Sequence, residues 1–431
     1  MSKPVIGFAG MTHLGIVSAV AAADRGFKVI CFDSDSSRLE PLKQLRLPIV
    51  EPGLPEVLVK NESRLSFTER ATDLRGCQVV YVAVDVSTDD EAKADLQQVH
   101  DLIALLGRVI EDGVMVILSQ VPPGFTRSLS HPQERCFYQV ETLIFGRAVE
   151  RALYPERIII GCADTKQTLP QALQQFLDAF NCPILRMRYE SAELTKIAIN
   201  IFLSASVCTT NTLAELSEKI GADWSEVIPA LKLDKRIGQH AYLTPGLGIA
   251  GGNLERDLAT LVGLAYETGS DASVIESFRR NSRYRRDWAL RTLYAQLSPD
   301  KPDTALGILG LAYKENTDSI KNSPSLGLIK HLKPWRLRVY DPVVPAAAVD
   351  HPNVIGCASA IEAARGVDAL VVMTPWAAFR ELRPDDLGQC MAGRTVIDPF
   401  RLLDGPALVS AGFDYFTLGA RPVTTQHTFN A

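Results

Sequence analysis

The chain has 431 residues, of which 46% are hydrophobic and 22% charged, and its formal net charge is -5 at pH 7. This length predicts two or three domains rather than one hydrophobic core. The mildly acidic balance gives no reason to expect binding to nucleic acid or to a membrane surface. Residues 5–10 are apolar but too few to span a membrane, and they lack the layout of a signal peptide. We therefore expect a cytoplasmic α/β protein.

Elements alternate along the first part of the chain. Residues 4–10 form a short apolar run, residues 14–25 show helical spacing, and residues 28–32 form a second apolar run. This order predicts a βαβ unit. Further strand-like runs occupy residues 79–84 and 114–118, with a helical pattern at 96–110 between them. The alternation predicts a parallel sheet with helices on both faces, as a first domain over residues 1–190.

The remainder divides into a helical section and a second α/β section. Strand signals disappear from residue 191 to about 298, which predicts a helical central domain over residues 191–300. Strand-like runs then return, which predicts a second α/β domain over residues 301–431 with a linker near 298–302. These later runs lie at residues 305–311, 336–341, 369–373 and 395–398, with a helical pattern at 325–332.

The turn after the first strand reads GMTHLG, a G-x-G-x-x-G pattern whose middle position holds Thr12. Gly10 suits the tight turn and Gly15 suits close packing of the following helix, whereas Thr12 adds a Cβ near the phosphates. Asp33 ends the second strand and favours NAD over NADP, because a carboxylate accepts hydrogen bonds from ribose and repels an added phosphate. Arg38 complicates this choice, since an arginine accommodates phosphate. The fingerprint predicts a Rossmann-like NAD domain; a Rossmann-like fold without a dinucleotide is the alternative.

Neither metal nor disulfide chemistry is indicated. The eight cysteines are scattered without a C-x-x-C pair, and the seven histidines lack the H-x-x-x-H spacing of a metal site. We expect reduced cysteines and no catalytic metal.

Ordered motifs along nearly the whole chain resemble the UDP-glucose/GDP-mannose dehydrogenase family. They comprise EPGL at 51–54, ADL at 94–96, VPPG at 121–124, PERIIIG at 155–161, SAELTK at 191–196, DKRIG at 234–238, GLGIAGGNLERD at 246–257 and LGLAYK at 309–314. The resemblance implies an NAD-dependent oxidoreductase that acts on the primary 6-hydroxyl of a UDP- or GDP-hexose. It also implies that the last domain is a Rossmann-like nucleotide-sugar domain, and that two copies associate through the helical section.

The catalytic loop departs from the family at its central residue. The family writes this loop G-x-G-x-G-G-x-C-x-x-K-D, and the ungapped match puts Asn253 on the catalytic cysteine. In the family that cysteine captures the aldehyde, so that a second oxidation gives a thioester and then a uronic acid. An amide cannot form the thiohemiacetal. A slip in register is the alternative, but no cysteine lies between Cys208 and Cys357 to restore the match.

Other family positions suited to hydride transfer are retained. Lys196 and Asn200 are four residues apart on a predicted helix and so share one face. By resemblance, Lys196 stabilises a developing oxyanion and Asp257 polarises a water or the substrate oxygen beside it. Glu141 falls on the proposed general base, although its neighbours match poorly, and Arg256 replaces a lysine. A solvated lysine beside an asparagine is the plain structural alternative.

Further positions are changed or serve binding. Gln120 and Phe145 replace a threonine and a second glutamate of the family site, and Val86 and Ser87 replace a threonine and a proline near the cofactor. By resemblance, the residues that hold the sugar nucleotide are Arg236, Gly246, Gly248, Gly251 and Lys314, and Lys321 stands where the family has a cofactor-facing arginine. We interpret the basic run at residues 279–286 as a solvated or subunit-facing helix surface; a surface that faces phosphate is the alternative.

Three reactions fit these residues: interconversion of alcohol and aldehyde, oxidation of an aldehyde hydrate, and transient oxidation by an epimerase or isomerase with tightly held NAD. The first two are favoured because the oxyanion groups remain while the thiol is gone. A non-catalytic sugar-nucleotide-binding protein is the alternative from another class, and a small-hydroxyacid dehydrogenase is a weaker one. A role in polysaccharide biosynthesis is inferred from the family only.

Overall fold

The computed structural model describes residues 3–89, 94–298 and 303–424. The chain divides into two compact units, Met1–Ile199 and Asn200–Ala431. Residues 299–302 of the predicted linker, and with them the predicted boundary at 300/301, lie outside the described residues.

The first unit is built on an eight-stranded sheet with strand order β3-β2-β1-β4-β5-β6-β7-β8. All neighbouring strands are parallel except β6 and β7, which are antiparallel. The central strands β4 and β5 are buried at every position, as expected for a sheet covered on both faces. The strands are β1 Val5–Ala9, β2 Lys28–Phe32, β3 Leu65–Thr68, β4 Val79–Val82, β5 Val114–Ile117, β6 Cys136–Gln139, β7 Ile158–Cys162 and β8 Ile184–Arg188.

Helices cover this sheet, and α1 is buried along most of its length because it packs into the core beside β1. The helices are α1 His13–Asp24, α2 Ser36–Lys43, α3 Leu54–Lys60, α4 Gln97–Val109, α5 Phe125–Ser128, α6 Ala148–Leu153 and α7 Gln171–Asp178. The strand order reverses between β1 and β4, and ligands of such sheets bind outside the carboxyl ends of the strands at this point.

The second unit begins within the long helix α8, Tyr189–Ile220, and continues through four more helices. These are α9 Trp224–Leu233, α10 Asn253–Thr268, α11 Ser273–Arg286 and α12 Trp288–Gln296. No strand lies between α8 and α12 in the described part of this section, as the sequence predicted. Among the helices of the described residues, α8 is long and apolar enough to cross a membrane by length and composition, a test that core helices of soluble proteins also pass.

A six-stranded parallel sheet follows, with strand order β11-β10-β9-β12-β13-β14. Its strands are β9 Ala305–Leu309, β10 Arg336–Tyr340, β11 Val354–Gly356, β12 Ala369–Val372, β13 Thr395–Ile397 and β14 Asp414–Phe416. Its helices are α13 Pro324–Ile329, α14 Ala360–Ala363, α15 Pro384–Cys390 and α16 Gly405–Ser410. The predicted fold class, two parallel α/β sheets separated by a helical section, is confirmed.

The two sheets repeat one turn geometry. Gly10 has a φ of +101° and donates its N–H to Phe32 O over 2.8 Å, while Gly310 has a φ of +97° and donates to Tyr340 O over 2.8 Å. Glycine is required at Gly15 as well, since a Cβ there would lie 1.7 Å from the carbonyl oxygen of Gly10. The first strand of each sheet thus enters its turn in the same way.

Candidate active site

In the first unit, Lys196 on α8 forms an ion pair with Glu141, which lies two residues beyond the end of β6. The Nζ–Oε2 distance is 2.9 Å, and the two side chains are 9% and 14% exposed. Glu141 also accepts the N–H of Leu143 through its other carboxylate oxygen. The structure thus brings together a buried cation and a carboxylate that lie 55 residues apart in the sequence.

Glu193 fixes the start of α8 against the segment that contains the VPPG motif. Its fully buried carboxylate accepts the N–H of Gly124 over 2.6 Å and the N–H of Thr126 over 2.8 Å. Burial raises the pKa of Glu193 although these hydrogen bonds act in the opposite direction. Lys196 lies less than one helical turn further on, so this anchor holds the helix that carries it.

In the second unit, Asn200 donates its side-chain amide to Asp257 Oδ2 over 2.5 Å, and both residues are buried. Arg256 Nε lies 3.5 Å from the other oxygen of Asp257. Asn253 is the first residue of α10, one turn before Asp257, and is exposed. The N-cap residue of α10 is Gly252, which has no side chain with which to cap the helix.

The thiols of the chain are poorly suited to replace the missing nucleophile. All eight cysteines are free, and burial raises the pKa of each one. Cys208 lies on α8 two turns beyond Asn200, but burial raises its pKa to about 11 and it packs against Ile249 and Leu258. Because the thiolate is the nucleophilic form, these sites disfavour covalent capture of an aldehyde.

The dinucleotide turn is lined by carboxylates. Asp33 is 3% exposed and accepts the N–H of Met11 over 2.7 Å, and its carboxylate lies 3.2 Å from Arg38 Nη1. Asp33 directly follows β2, where an acidic residue of this fold would contact the adenosine ribose of NAD, and this role stays a prediction. Thr12 is the N-cap of α1, and its hydroxyl accepts the N–H of Asp85. These features of the turn and of β2 fit an NAD site, although Asp85 brings an additional negative charge.

Two residues of this region were missed as functional residues by the sequence reasoning. His13 Nε2 lies 2.9 Å from Glu51 Oε2, and the His13 ring packs on Phe145 with centroids 4.2 Å apart. Glu51 also accepts the N–H groups of Gly146 and Ala148. The EPGL motif at residues 51–54 could have pointed to Glu51, because the turn at Gly53 does not itself require a glutamate two residues earlier.

The residues predicted to hold the sugar nucleotide lie on two connections of the second unit: four of them lie between α9 and α10, and Lys314 lies between β9 and α13. Gly248 and Gly251 have φ angles of +76° and +89°, and a Cβ on Gly251 would lie 3.0 Å from the Tyr313 ring. Lys314 lies over that ring, so Gly251 and Lys314 are brought close. Two of the remaining residues have other partners: Gly246 donates its N–H to the Asn211 side chain, and Arg236 pairs with Asp234. Lys321, the predicted cofactor-facing residue, is half-buried on the connection between β9 and α13.

Metal chemistry has no visible support in the described ranges, where no group of three or more potential His, Cys, Asp or Glu ligands is found.

Three family models match consecutive parts of the chain. The NAD binding domain of the UDP-glucose/GDP-mannose dehydrogenase family matches residues 5–180, its central domain matches residues 190–283, and its UDP binding domain matches residues 307–405. The chain belongs to the UDP-glucose/GDP-mannose dehydrogenase family, whose members are NAD-dependent nucleotide-sugar dehydrogenases. The family suggested by the motifs and its NAD cofactor are thereby confirmed.

Relatives match over nearly their whole length. The UDP-glucose 6-dehydrogenase of Rickettsia typhi is 30% identical, with 96% of this chain and 99% of the relative aligned. That of Pseudomonas aeruginosa is also 30% identical, with 95% and 96% aligned. The structure of a UDP-glucose dehydrogenase from Pyrobaculum islandicum superimposes with a TM-score of 0.84 at 28% identity, over 94% of this chain and 98% of that one.

Proposed function

We propose that this protein oxidises a nucleotide-activated hexose, a UDP- or GDP-sugar, at its primary 6-hydroxyl without a covalent thiol intermediate. The observation that carries the proposal is the retention of two buried polar pairs, Lys196 with Glu141 and Asn200 with Asp257, in a chain whose residue 253 is an asparagine. Lys196 and Asn200 are one turn apart on α8 and therefore project to one side of it.

The role of each residue follows from its chemistry. NAD supplies the hydride acceptor when it is bound. Lys196 stabilises negative charge on the sugar oxygen as its proton leaves, and Glu141, paired with that lysine, is placed to accept a proton. In keeping with the family resemblance, Asn200 and Asp257 orient a substrate oxygen or the water of an aldehyde hydrate. Asn253 offers a hydrogen-bond donor and an acceptor but no nucleophile. The oxidation therefore either stops at the aldehyde or continues to the acid through the aldehyde hydrate.

Counting the NADH formed per sugar separates the routes. The protein is incubated with NAD and a panel of UDP- and GDP-sugars, with Lys196→Gln as the control for catalysis at this site. One NADH per sugar indicates an alcohol-to-aldehyde oxidation, and two NADH without a sugar adduct in the intact-protein mass indicate oxidation of the hydrate. Two NADH together with a covalent acyl-enzyme would refute the proposal. NADH formation with none of the sugars would do so as well.

We also infer that the protein is a cytoplasmic homodimer. Beyond Asn200, four large apolar residues of α8 are exposed: Phe202 at 77%, Leu213 at 43%, Leu216 at 46% and Ile220 at 73%. Their spacings of 11, 3 and 4 residues put them in one stripe of the helix. A second copy of the chain would cover this stripe, in keeping with association through the helical section in the family.

A further inference from the structure

Asp85 contacts the N-terminus of α1, the part of a dinucleotide-binding fold that generally holds the diphosphate. It follows β4 at the point where the strand order reverses, and its carboxylate accepts the N–H of Leu14 over 3.1 Å. Leu14 lies in the first turn of α1, whose free N–H groups and positive dipole end favour a bound anion. The backbone N–H of Asp85 donates to Thr12 Oγ1 over 2.9 Å, so Asp85 is attached to the turn at two points.

The charges around this turn add to the effect of Asp85. Asp33 accepts the N–H of Met11 on one side, and Glu51 contacts His13 on the other. Three carboxylates therefore contact residues 11–14. Arg38 lies against Asp33, and His13 lies against Glu51, so the basic side chains nearest to these two carboxylates are already in contact with them.

We propose that Asp85 is a determinant of cofactor affinity that competes with the diphosphate for the N-terminus of α1 and so speeds cofactor release. A bound diphosphate must displace this carboxylate from Leu14 and remain near its negative charge. The Asp85 side chain is exposed and can turn outward. It therefore lowers the affinity for the cofactor without blocking the site. Because NAD and NADH carry the same diphosphate, the affinity of the protein for both is lowered to the same extent.

This property bears on the type of reaction, and it rests on the proposed function. Transient oxidation followed by hydride return requires the reduced cofactor to stay bound throughout. Net oxidation requires it to leave in every turnover. A carboxylate that competes with the diphosphate suits the second case, because differences in affinity between related complexes appear mainly in the dissociation rate.

The test compares binding of NADH to the full-length protein, followed by NADH fluorescence, in four forms. Asp85→Asn keeps the size of the side chain without its charge, and Asp85→Ser also shortens it. Asp112→Asn is the matched control, because it removes one charge from a fully exposed aspartate on the loop that precedes β5. At low ionic strength, we expect both Asp85 variants to bind about tenfold more tightly and to release NADH more slowly, while Asp112→Asn is unchanged. The difference should shrink toward about 0.5 M salt.

Each other result has a defined meaning. Equal or weaker NADH binding by both Asp85 variants would overturn this role of Asp85, while the proposed oxidation would stand. Tighter binding by Asp112→Asn to the same extent would also overturn it, because net charge alone would then explain the gain. Failure of all four folded proteins to bind NADH would overturn the proposed function together with this inference.

Discussion

At the scale of single residues, the candidate site contains buried charged side chains. Hydrophobic residues of similar size at these positions would give a fold of equal stability. Burying an ionised pair such as Lys196 and Glu141 costs free energy that its mutual attraction only partly returns. The same holds for Asp257, which lies between the Asn200 amide and Arg256. Under the proposed function, these groups are retained without the nucleophile because negative charge still develops on a substrate oxygen during the reaction.

Alkylation of thiols provides a test at position 253. Iodoacetamide should leave the activity of the native protein intact, because burial raises the pKa of every cysteine. The variant Asn253→Cys puts a thiol on an exposed residue at the start of α10, where the helix dipole favours the thiolate, so its alkylation should be at least about tenfold faster. Mass spectrometry of the labelled peptide identifies the modified residue. Asn253→Ser serves as the control without a thiol, and inactivation of the native protein through labelling of a native cysteine would contradict the expectation.

At the scale of elements, the strands that the sequence predicted are inner strands of the two sheets. They are β1, β2, β4, β5, β9, β10, β12 and β13, and their bounds agree to within two residues. All four edge strands were missed; β8, for example, carries exposed Leu185 and Arg186, and β11 has only three residues. The buried strands β6 and β7 were missed as well. Asp85 was missed for a related reason: its partner Leu14 lies 71 residues away, and residue spacing does not reveal contacts between the ends of neighbouring strands.

Glu51 connects three elements, and its pKa makes that connection dependent on pH. Burial would raise the pKa of Glu51, but hydrogen bonds from His13, Ala148 and Gly146 outweigh it and hold the pKa below its usual value. A carboxyl whose pKa is lowered in the folded state stabilises the fold above its unfolded pKa, and this stabilisation is lost as the pH falls through the folded pKa.

The variant Glu51→Gln should therefore be less stable at pH 7 by about 1–3 kcal/mol, since it cannot accept all these hydrogen bonds as a charged group. Melting temperatures of both proteins, measured from pH 7 downward, should converge as the pH falls through the lowered folded-state pKa of Glu51. Glu56→Gln is the control, because Glu56 is an exposed carboxylate on the neighbouring helix α3. A difference in melting temperature that is absent at pH 7, or that persists unchanged in acid, would contradict the role assigned to Glu51.

At the scale of the whole molecule, the same turn occurs in both sheets but its carboxylate is used differently. Asp33 accepts two backbone N–H groups and lies beside the half-buried side chain of Arg38. Asp341 accepts five donors, namely the N–H groups of Leu311, Ala312, Val343 and Val344 and the indole N–H of Trp376. A carboxylate has about four lone-pair sites, so Asp341 is saturated and structural. Asp33 can still accept further hydrogen bonds from a ligand. For this reason we interpret the first turn, and not the second, as a dinucleotide site.

The exposed stripe of α8 provides the test of assembly. If a second copy covers Phe202, the native protein should elute at twice the chain mass of 47.2 kDa in size-exclusion chromatography with light scattering. Phe202→Glu should shift it to the monomer mass, because burying an unpaired charge in an apolar contact costs several kcal/mol. Tyr266→Glu is the matched control, since Tyr266 is 90% exposed but lies on α10, outside the stripe. A native protein of monomer mass would refute the dimer, and a dimer that survives Phe202→Glu would place the contact elsewhere, on a surface that does not include this stripe.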